Sequence, residues 1–469
     1  MATTAALNNV AAATTAVHED KHPKGLYVLF ATEMWERFSF YSMLAMFTLY
    51  LRDTTGQGFG WSSDQATGLY SNYLMFVYAS PLVGGIIADW KLGYRRAVMI
   101  GGVFFMAGHG LLSFHSLTAV YAALTCLVIG NGFFKPNVST MVGNLYPEGS
   151  HLKDRAYNIF YMGINVGAFL APVVAEFVQS KFGFHPAFAV AAGGMAISVF
   201  ILWKFKHHIE AADRPGSRGA QQAANTAAVA VDAPPKGVSH QDAANASRVD
   251  ALQAVPEWKR IGALIVVFII VIIFWMVFHQ NGSTMTYWAN ENTDWKVTGI
   301  ISNAINPGWV ILLTFPLVFF WKWLDKKGLE PSTPTKMAIG MVMTGLAFFV
   351  LFVAAKVGEG TVTGDNYYNF KVSAAWLVGA YGVLTLGELM LSPMGLSLVS
   401  KVAPIRFRGV MMGGWFVATA IGNKLTQIGQ LWDDWLHSTF WLMLSCAAII
   451  MAIVLMILLR PLKKAMPGV

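Results

Sequence analysis

Charged residues are scarce in this chain. Only 12% of its 469 residues are Asp, Glu, Lys or Arg and 55% are hydrophobic, whereas soluble domains carry about 25% charged residues. So few charges cannot cover the water-exposed surface of a soluble domain of this length. The shortage excludes an ordinary soluble globular protein and predicts a membrane protein.

Cysteines and metal-binding motifs are also few. The chain has two cysteines, Cys126 and Cys446, both inside apolar runs, which argues against a disulfide framework. It has no H-E-x-x-H motif and no cluster of His and Asp, so we expect no enzyme, metal site or cofactor. The alternating polarity of an outer-membrane barrel is missing. The first 24 residues lack a continuous apolar core, which argues against a cleavable signal peptide.

Long apolar runs are abundant. About 20 apolar residues span a bilayer as a helix, and helices are expected because a lipid-exposed backbone must satisfy its own hydrogen bonds. We count twelve such runs, at residues 26–51, 65–88, 96–115, 118–145, 154–180, 185–205, 258–290, 303–325, 335–357, 372–400, 407–430 and 437–459. The predicted fold is an all-α membrane protein with twelve transmembrane helices.

A polar segment divides these helices into six plus six. It is rich in Ala, Asp, Gln, Ser and Pro and is predicted to be a flexible linker. The tripeptide PLV recurs at 81–83 and 316–318, six spans apart, which suits two related halves with a site between them. The predicted divisions are an N-terminal tail (1–24), a six-helix bundle (25–206), the linker (207–256), a second six-helix bundle (257–460) and a C-terminal tail (461–469).

Basic residues collect in alternate loops, those that follow the even-numbered spans. The set comprises Lys91, Arg95, Arg96, Lys153, Arg155, Lys259, Arg260, Lys322, Lys326, Lys327, Arg406, Arg408, Arg460, Lys463 and Lys464. By the positive-inside rule, both termini and the linker are predicted to be cytoplasmic. The net charge of +8 then reflects topology and contact with anionic lipids, and we expect no nucleic-acid partner.

Three charges interrupt the first span, in the stretch TEMWERFSFYSM. Intramembrane charges cost about 2.5–3.5 kcal/mol each on insertion scales, so they are retained mainly where they pair or face water. Helical spacing places Glu33, Glu36, Arg37 and Tyr41 on one face. This polar stripe indicates either a functional site or a structural ion pair between helices.

The fourth span contains Lys135, in GNGFFKPNVSTMVGNLY. Gly130 and Gly132 permit close helix approach, and Pro136 can bend the span. A lysine near a helix end often extends to the membrane surface. Because about a dozen residues lie on either side of Lys135, we favour an inward-facing cation.

The second half holds a complementary charge, Glu388, in LTLGELMLSPMGLS. A cation in one half and an anion in the other would fit a zwitterion with separated ends. Lys424 could instead neutralise Glu388.

Polar and aromatic residues could complete such a cavity, although single residues of these types more often serve in packing or as interface anchors. The candidates are Tyr78, Asn165, Trp275, Asn306, Ser392 and Trp415. We interpret His109, Glu291 and Asp294 as structural.

Several segments resemble one family when taken together. EMWERFSFY resembles the ExxERFxYY motif of the proton-dependent oligopeptide transporters, a branch of the major facilitator superfamily. GGIIADWKLGYRR is similar to the superfamily's loop after the second helix. FYMGINVGAFLAP, FWMVFHQNGS and GELMLSPMGLS, together with the Lys135 segment, resemble other blocks of the family, in order along both halves.

The resemblance implies a major facilitator fold and proton-driven import of di- and tripeptides by alternating access, across the inner membrane of a bacterium. By motif position, Arg37 and Lys135 would meet the peptide carboxylate, with Tyr41 and Tyr78 nearby. Glu388 would meet the amino terminus. The remaining roles are carried over in the same way: Asn165 and Asn306 assist Glu388; Trp275, Ser392 and Trp415 line the pocket; Glu33 and Glu36, with Arg37 and Lys135, take part in proton coupling.

The chain departs from the family pattern. Phe40 stands where the motif usually has its first tyrosine, Leu44 replaces a common arginine, and His279 replaces the acidic partner of that arginine. The usual outer ion pair between the first and seventh helices is therefore missing. The linker is also too polar to supply the two extra helices of many bacterial members.

The paired loss of charges motivates a hypothesis for His279. With a reference pKa of about 6.5, it could sense external protons and help set the opening of the outer gate, or it could be a solvated histidine near a helix end. For the whole chain, a related proton-coupled carrier of nitrate or a drug-like anion, a membrane enzyme and a nutrient receptor are the alternatives. Protons, peptides and lipid are the expected partners, and a monomer is the expected oligomeric state.

Overall fold

The computed structural model describes residues 22–146, 152–213, 254–362, 368–404 and 407–467. Most of the predicted N-terminal tail, most of the linker and the end of the C-terminal tail lie outside the described residues. The domain bounds given above therefore stay a prediction.

Long helices account for most of the first half of the chain. Its helices are α1 (Lys24–Arg52), α2 (Ser63–Ile87), α3 (Tyr94–Leu111), α4 (Leu117–Asn144), α5 (Leu152–Phe182) and α6 (Phe184–Lys204). A π-helical turn, Ala88–Leu92, prolongs α2. The start of α2 follows from its sequence, because Ser62 and Gln65 form a reciprocal capping box.

The second half repeats this pattern. Its helices are α7 (Glu257–Phe278), α8 (Thr284–Glu291), α9 (Ser302–Lys326), α10 (Thr333–Glu359), α11 (Ala374–Val402), α12 (Arg408–Leu425) and α13 (His437–Ala465). A 3-10 turn at His279–Gly282 joins α7 to α8, so that these two helices form one span. The strands β1 (Thr293–Asp294) and β2 (Val372–Ser373) pair in parallel. Each of the twelve apolar runs coincides with one helical span.

Nine of these spans are long and apolar enough to cross a membrane by composition alone, counted over the described residues. The other three long helices, α1, α3 and α12, each carry at least two charged side chains. The chain is a multi-pass membrane protein.

Buried apolar side chains form two clusters, one made almost entirely by residues 26–212 and the other by residues 263–466. Between the halves, α2 packs against α12 and α5 packs against α9. We call the end of the molecule where α1 begins the near face, and the end where Arg52 closes α1 the far face.

The predicted close approach at Gly130 and Gly132 is confirmed. A Cβ added at Gly130 would lie 3.0 Å from the Gly101 carbonyl oxygen of α3. Gly132 packs on α2, where a Cβ added at Gly84 would overlap the Gly132 carbonyl oxygen. These contacts fix the position of α4, and therefore of Lys135, relative to α2 and α3.

Replacing Gly84 by alanine should therefore lower the free energy of unfolding by about 1–3 kcal/mol, the usual cost of overpacking. Gly68→Ala on the same helix is the matched control, because among the described residues no atom beyond its neighbouring helical backbone lies within 4 Å of the position of its Cβ. Thermal unfolding in detergent measures both variants. Equal midpoints for Gly84→Ala and Gly68→Ala would contradict the tight α2–α4 contact.

Candidate functional site

The three charges of α1 form one buried cluster. The Arg37 guanidinium donates to both carboxylate oxygens of Glu36, at 2.7 Å from Nη2 and in a short contact from Nε, and its Nε lies 3.3 Å from Glu33 Oε1. All three residues are at most 3% exposed. Glu33 Oε2 has no hydrogen-bond partner within the described part of the chain. Arg37 is thus held by two carboxylates, and one carboxylate oxygen is left over.

Aromatic rings surround this cluster. The Arg37 guanidinium lies 4.9 Å from the Phe40 ring centroid and 6.0 Å from that of Tyr41. Phe40, where the motif usually has a tyrosine, contacts the guanidinium with its ring and supplies no hydroxyl. The polar stripe predicted on α1 exists as one connected group.

Lys135 is a buried cation of a different kind. Its ammonium lies 4.7 Å from the centroid of the Tyr78 ring. Among the residues that the structure describes, no carboxylate oxygen lies within 4.0 Å of this ammonium. The middle of the first half therefore contains a cation without an ion-pair partner.

His279 continues from Tyr78 toward the second half. Its imidazole lies 5.5 Å from the Tyr78 ring and stacks on Trp275, with centroids 5.3 Å apart and an interplanar angle of 24°. His279 is 7% exposed, and its Nε2 has no hydrogen-bond partner within the described ranges. Its side chain is thus enclosed by rings from both halves.

Glu388 of α11 is the counterpart of Lys135. Its Oε2 accepts a hydrogen bond of 2.9 Å from Asn306 Nδ2, which also lies 3.0 Å from Thr385 Oγ1. No lysine or arginine of the described segments is within 4.0 Å of the Glu388 carboxylate. The alternative in which Lys424 neutralises Glu388 is wrong, because Lys424 donates to Asn72, at 2.5 Å, and to Gln427.

Three tyrosines of the first half lie within electrostatic range of Glu388: Tyr41, Tyr78 and Tyr161. Glu388 therefore lies near residues of the first half. Sequence reasoning missed Tyr161. Its spacing could have indicated it, because Tyr161 lies one helical turn before the candidate residue Asn165. In the structure, Asn165 Nδ2 donates to the Tyr161 carbonyl at 2.9 Å.

The other predicted residues occupy less central positions. Asn165 is 8% exposed and bonded within its own helix. Trp415 is 3% exposed and packs on Gly395 and on Phe268, whose ring centroid is 6.3 Å away. Ser392 is partly buried. The structure brings Tyr78, Lys135, Trp275 and His279 into one chain of contacts, Arg37 next to Tyr41, and Asn306 onto Glu388.

Ion pairs join the halves at the far face. Arg52 lies 3.0 Å from Glu291 and 3.0 Å from Asp433, and its guanidinium is 4.3 Å from the Tyr287 ring centroid. We call Arg52, Glu291 and Asp433 the far-face latch. An ion pair between the halves thus forms although Leu44 and His279 cannot supply one. Glu291 belongs to it, which agrees with the structural role predicted for this residue.

Further hydrogen bonds join the two halves near the far-face latch. Glu176 of α5 accepts from the Thr298 backbone N–H at 2.8 Å and from its hydroxyl in a short contact. Thr67 and Tyr287 hydroxyls are 3.2 Å apart. These contacts join the two halves at the far face.

No group of three or more His, Cys, Asp or Glu residues suited to a metal ion occurs in the described ranges. The chemistry available to the site is accordingly that of paired and unpaired charges, hydroxyls and rings. Such an arrangement can bind a small charged molecule and can exchange protons.

Comparison with known proteins decides the family. The model of the POT family matches residues 95–433. The chain belongs to the POT family. Its POT-family relatives include an uncharacterized transporter, YclF, of Bacillus subtilis, 31% identical over 96% of both chains. A di-/tripeptide transporter of Lactococcus lactis is 30% identical over 95% of this chain and 97% of its own length.

Solved structures of POT proteins share the fold. The crystal structure of a mutant peptide transporter POT in complex with alafosfalin has a TM-score of 0.80 at 29% identity, and it covers 98% of this chain and 99% of that one. A POT family transporter in complex with a thioalcohol conjugated peptide has a TM-score of 0.79 at 27% identity, with coverage of 95% and 98%. The predicted fold class is confirmed: an all-α major facilitator fold with twelve spans. Membership of a transporter family also confirms that the chain is not an enzyme.

Proposed function

We propose that this POT-family chain is a proton-coupled symporter that imports di- and tripeptides by alternating access. The observation that carries the proposal is the pair Lys135 and Glu388, two charges from different halves within apolar helices, each without an ion-pair partner among the described residues. A peptide backbone in solution has one cationic and one anionic end, so that it supplies both missing partners. Relatives named as di-/tripeptide transporters support this reading.

Lys135 and Arg37 are the proposed receptors of the peptide carboxylate. In the present state Arg37 is occupied by Glu36 and Glu33, which leaves Lys135 as the cation that is ready for substrate. Glu388, oriented by Asn306, is the proposed receptor of the ammonium group. Tyr41, Tyr78, Asn165, Trp275, Ser392 and Trp415 remain proposed contributors to the pocket.

Proton coupling follows from the α1 cluster. Glu33 has one oxygen without a partner, so it can accept a proton while its other oxygen still faces Arg37. Protonation weakens the hold on Arg37 and releases guanidinium donors for a charge-assisted bond to the peptide carboxylate. Proton and peptide then bind cooperatively, and the coupling is the free energy of that cooperation.

The far face is the proposed external side. The positive-inside rule places the near face, with both termini and the linker, in the cytoplasm, and the inner membrane of a bacterium is the proposed location. The ion pairs of the far-face latch are proposed to restrict access from the outside in this state. Monomeric function is proposed, since each chain contains both sides of the site.

His279 is proposed to respond to external protons. Rings enclose its imidazole while the far face is closed, so it takes up a proton only when opening admits water. Replacing His279 by alanine should then reduce acid stimulation of uptake, because protonation no longer favours the open state. Uptake is measured at external pH values from about 5 to 8, the range over which a histidine changes charge.

His279→Gln, which hydrogen-bonds but does not titrate, should show the same flattened pH profile with more residual uptake. His109→Gln is the matched control, because that buried histidine stacks on Phe105 of its own helix. Uptake and a pH profile that are unchanged in His279→Ala would refute the gating role.

The proposed function is tested by uptake into proteoliposomes under an imposed pH gradient. Dialanine should accumulate, and collapsing the pH gradient with an uncoupler should abolish this accumulation. N-acetyl-dialanine, which lacks the ammonium group, should be rejected. Preferential uptake of nitrate would instead identify a related anion carrier, and absence of flux for every solute would point to a receptor.

A further inference from the structure

A cavity lies at the far face, and its lining includes neither Lys135 nor Glu388. Its volume is about 500 Å³. We call it the far-face vestibule, and its lining residues are Glu291, Tyr368, Asn369, Trp432, Asp433 and His437. The Glu291 and Asp433 side chains are 35% and 41% exposed, so both carboxylates reach solvent.

The charge of the vestibule is negative. Its described lining has two carboxylates and neither lysine nor arginine. Arg52 lies behind them and is the one cation paired with both, at 3.0 Å each. The three charges sum to minus one, and both carboxylates keep lone pairs for a further donor.

Aromatic rings form the rest of the wall. His437 stacks on Trp432 at a centroid distance of 3.8 Å and an angle of 14°, and the Tyr368 ring is 5.1 Å away. His437 is 3% exposed, and its Nδ1 has no hydrogen-bond partner among the described residues. Trp432 Nε1 donates to Glu291 at 3.1 Å, which fixes that carboxylate beside the rings.

We propose that the far-face vestibule binds a protonated primary amine, and that it first receives the ammonium end of an arriving peptide. The role in receiving a peptide rests on the proposed function, whereas the binding of a protonated amine does not. Ammonium groups satisfy carboxylates by hydrogen bonds and are attracted to the faces of aromatic rings, and the ring of Tyr368, 39% exposed, is accessible here. The combination of two carboxylates with flanking rings selects such a cation over an anion or a neutral solute.

Occupation of the vestibule has a consequence for the far-face latch. An ammonium group that binds Glu291 and Asp433 competes with Arg52 for the same oxygens. Competition weakens the contact between the halves at the end that must open to admit substrate. The vestibule thereby couples arrival of a cation outside to opening of the central site.

The test is protection from a membrane-impermeant maleimide. Full-length protein carrying Cys126→Ser, Cys446→Ser and Asn369→Cys is reconstituted in liposomes, because Asn369 is an exposed residue of the vestibule. The probe is phenethylamine, which has an ammonium group and a ring but no carboxylate. At ten times its Kd, labelling should slow about tenfold by mass action. The neutral 2-phenylethanol should give no protection.

Two further variants separate the vestibule from the central site. Protection should persist in Glu388→Gln and should weaken in Tyr368→Ala. Unchanged labelling, equal protection by 2-phenylethanol, or loss of protection in Glu388→Gln would each overturn the inference. If phenethylamine protects but no peptide is transported, the amine site stands and the proposed function fails.

Discussion

Glu388→Gln is expected to reduce proton-driven uptake of dialanine by at least about 30-fold, because loss of one partner of a buried charge pair costs 2–5 kcal/mol or more. Glutamine keeps the size of the side chain and can still bond to Asn306. It cannot neutralise the peptide ammonium group. Initial rates in proteoliposomes at a fixed pH gradient give the measurement.

Discrimination between substrates sharpens this test. Wild-type protein should prefer dialanine to N-acetyl-dialanine strongly, and Glu388→Gln should lose most of that preference. Glu359→Gln is the matched control, because that carboxylate lies in the same half but bonds to Ser438 at the far face. Wild-type uptake in Glu388→Gln would remove the central element of the proposed function.

Arg37→Lys is expected to lower driven uptake by about 10- to 100-fold, since hydrogen bonds to charged groups contribute about 1.5–3 kcal/mol. The guanidinium binds both oxygens of Glu36 and also reaches Glu33. An ammonium group is a point charge without this planar fork and cannot reproduce the arrangement. The transfer of Arg37 between its carboxylates and the substrate should therefore fail.

Lys135→Arg is the converse variant and should retain more uptake than Arg37→Lys, because Lys135 makes no bidentate pair within the described residues. Exchange of dialanine without a gradient separates binding from coupling. We expect that Arg37→Lys reduces gradient-driven uptake of dialanine by a larger factor than it reduces exchange of dialanine without a gradient. Near-normal driven uptake in this variant would argue against the proposed role of the α1 cluster.

Much of the architecture is present in the sequence because the signals are local. Twelve apolar runs predict twelve spans, since bilayer thickness fixes the length of a helix that crosses it. Periodicity places Glu33, Arg37 and Tyr41 on one face, and the structure finds them connected. Lys135 and Glu388 stand out as charges within apolar spans, and the family resemblance implied their roles.

Contacts between distant helices could not be obtained in this way. Lys424 lies on the same half as Glu388, yet it bonds to Asn72 of the other half. Glu291 and Asp433 pair with Arg52 across 239 and 381 positions of sequence. The residues adjacent to them in the sequence do not indicate these pairs.

The sequence by itself determined the spans, the polar stripe of α1 and the presence of charges within apolar spans, because each depends on hydrophobicity or helical period along one segment. The tertiary structure alone decided that Trp415 packs on Phe268, that Lys424 bonds to Asn72, and that Arg52 joins the halves through Glu291 and Asp433. The physical reason is that the rotation and separation of packed helices depend on close contacts such as Gly84 on Gly132, which involve residues far apart in the chain.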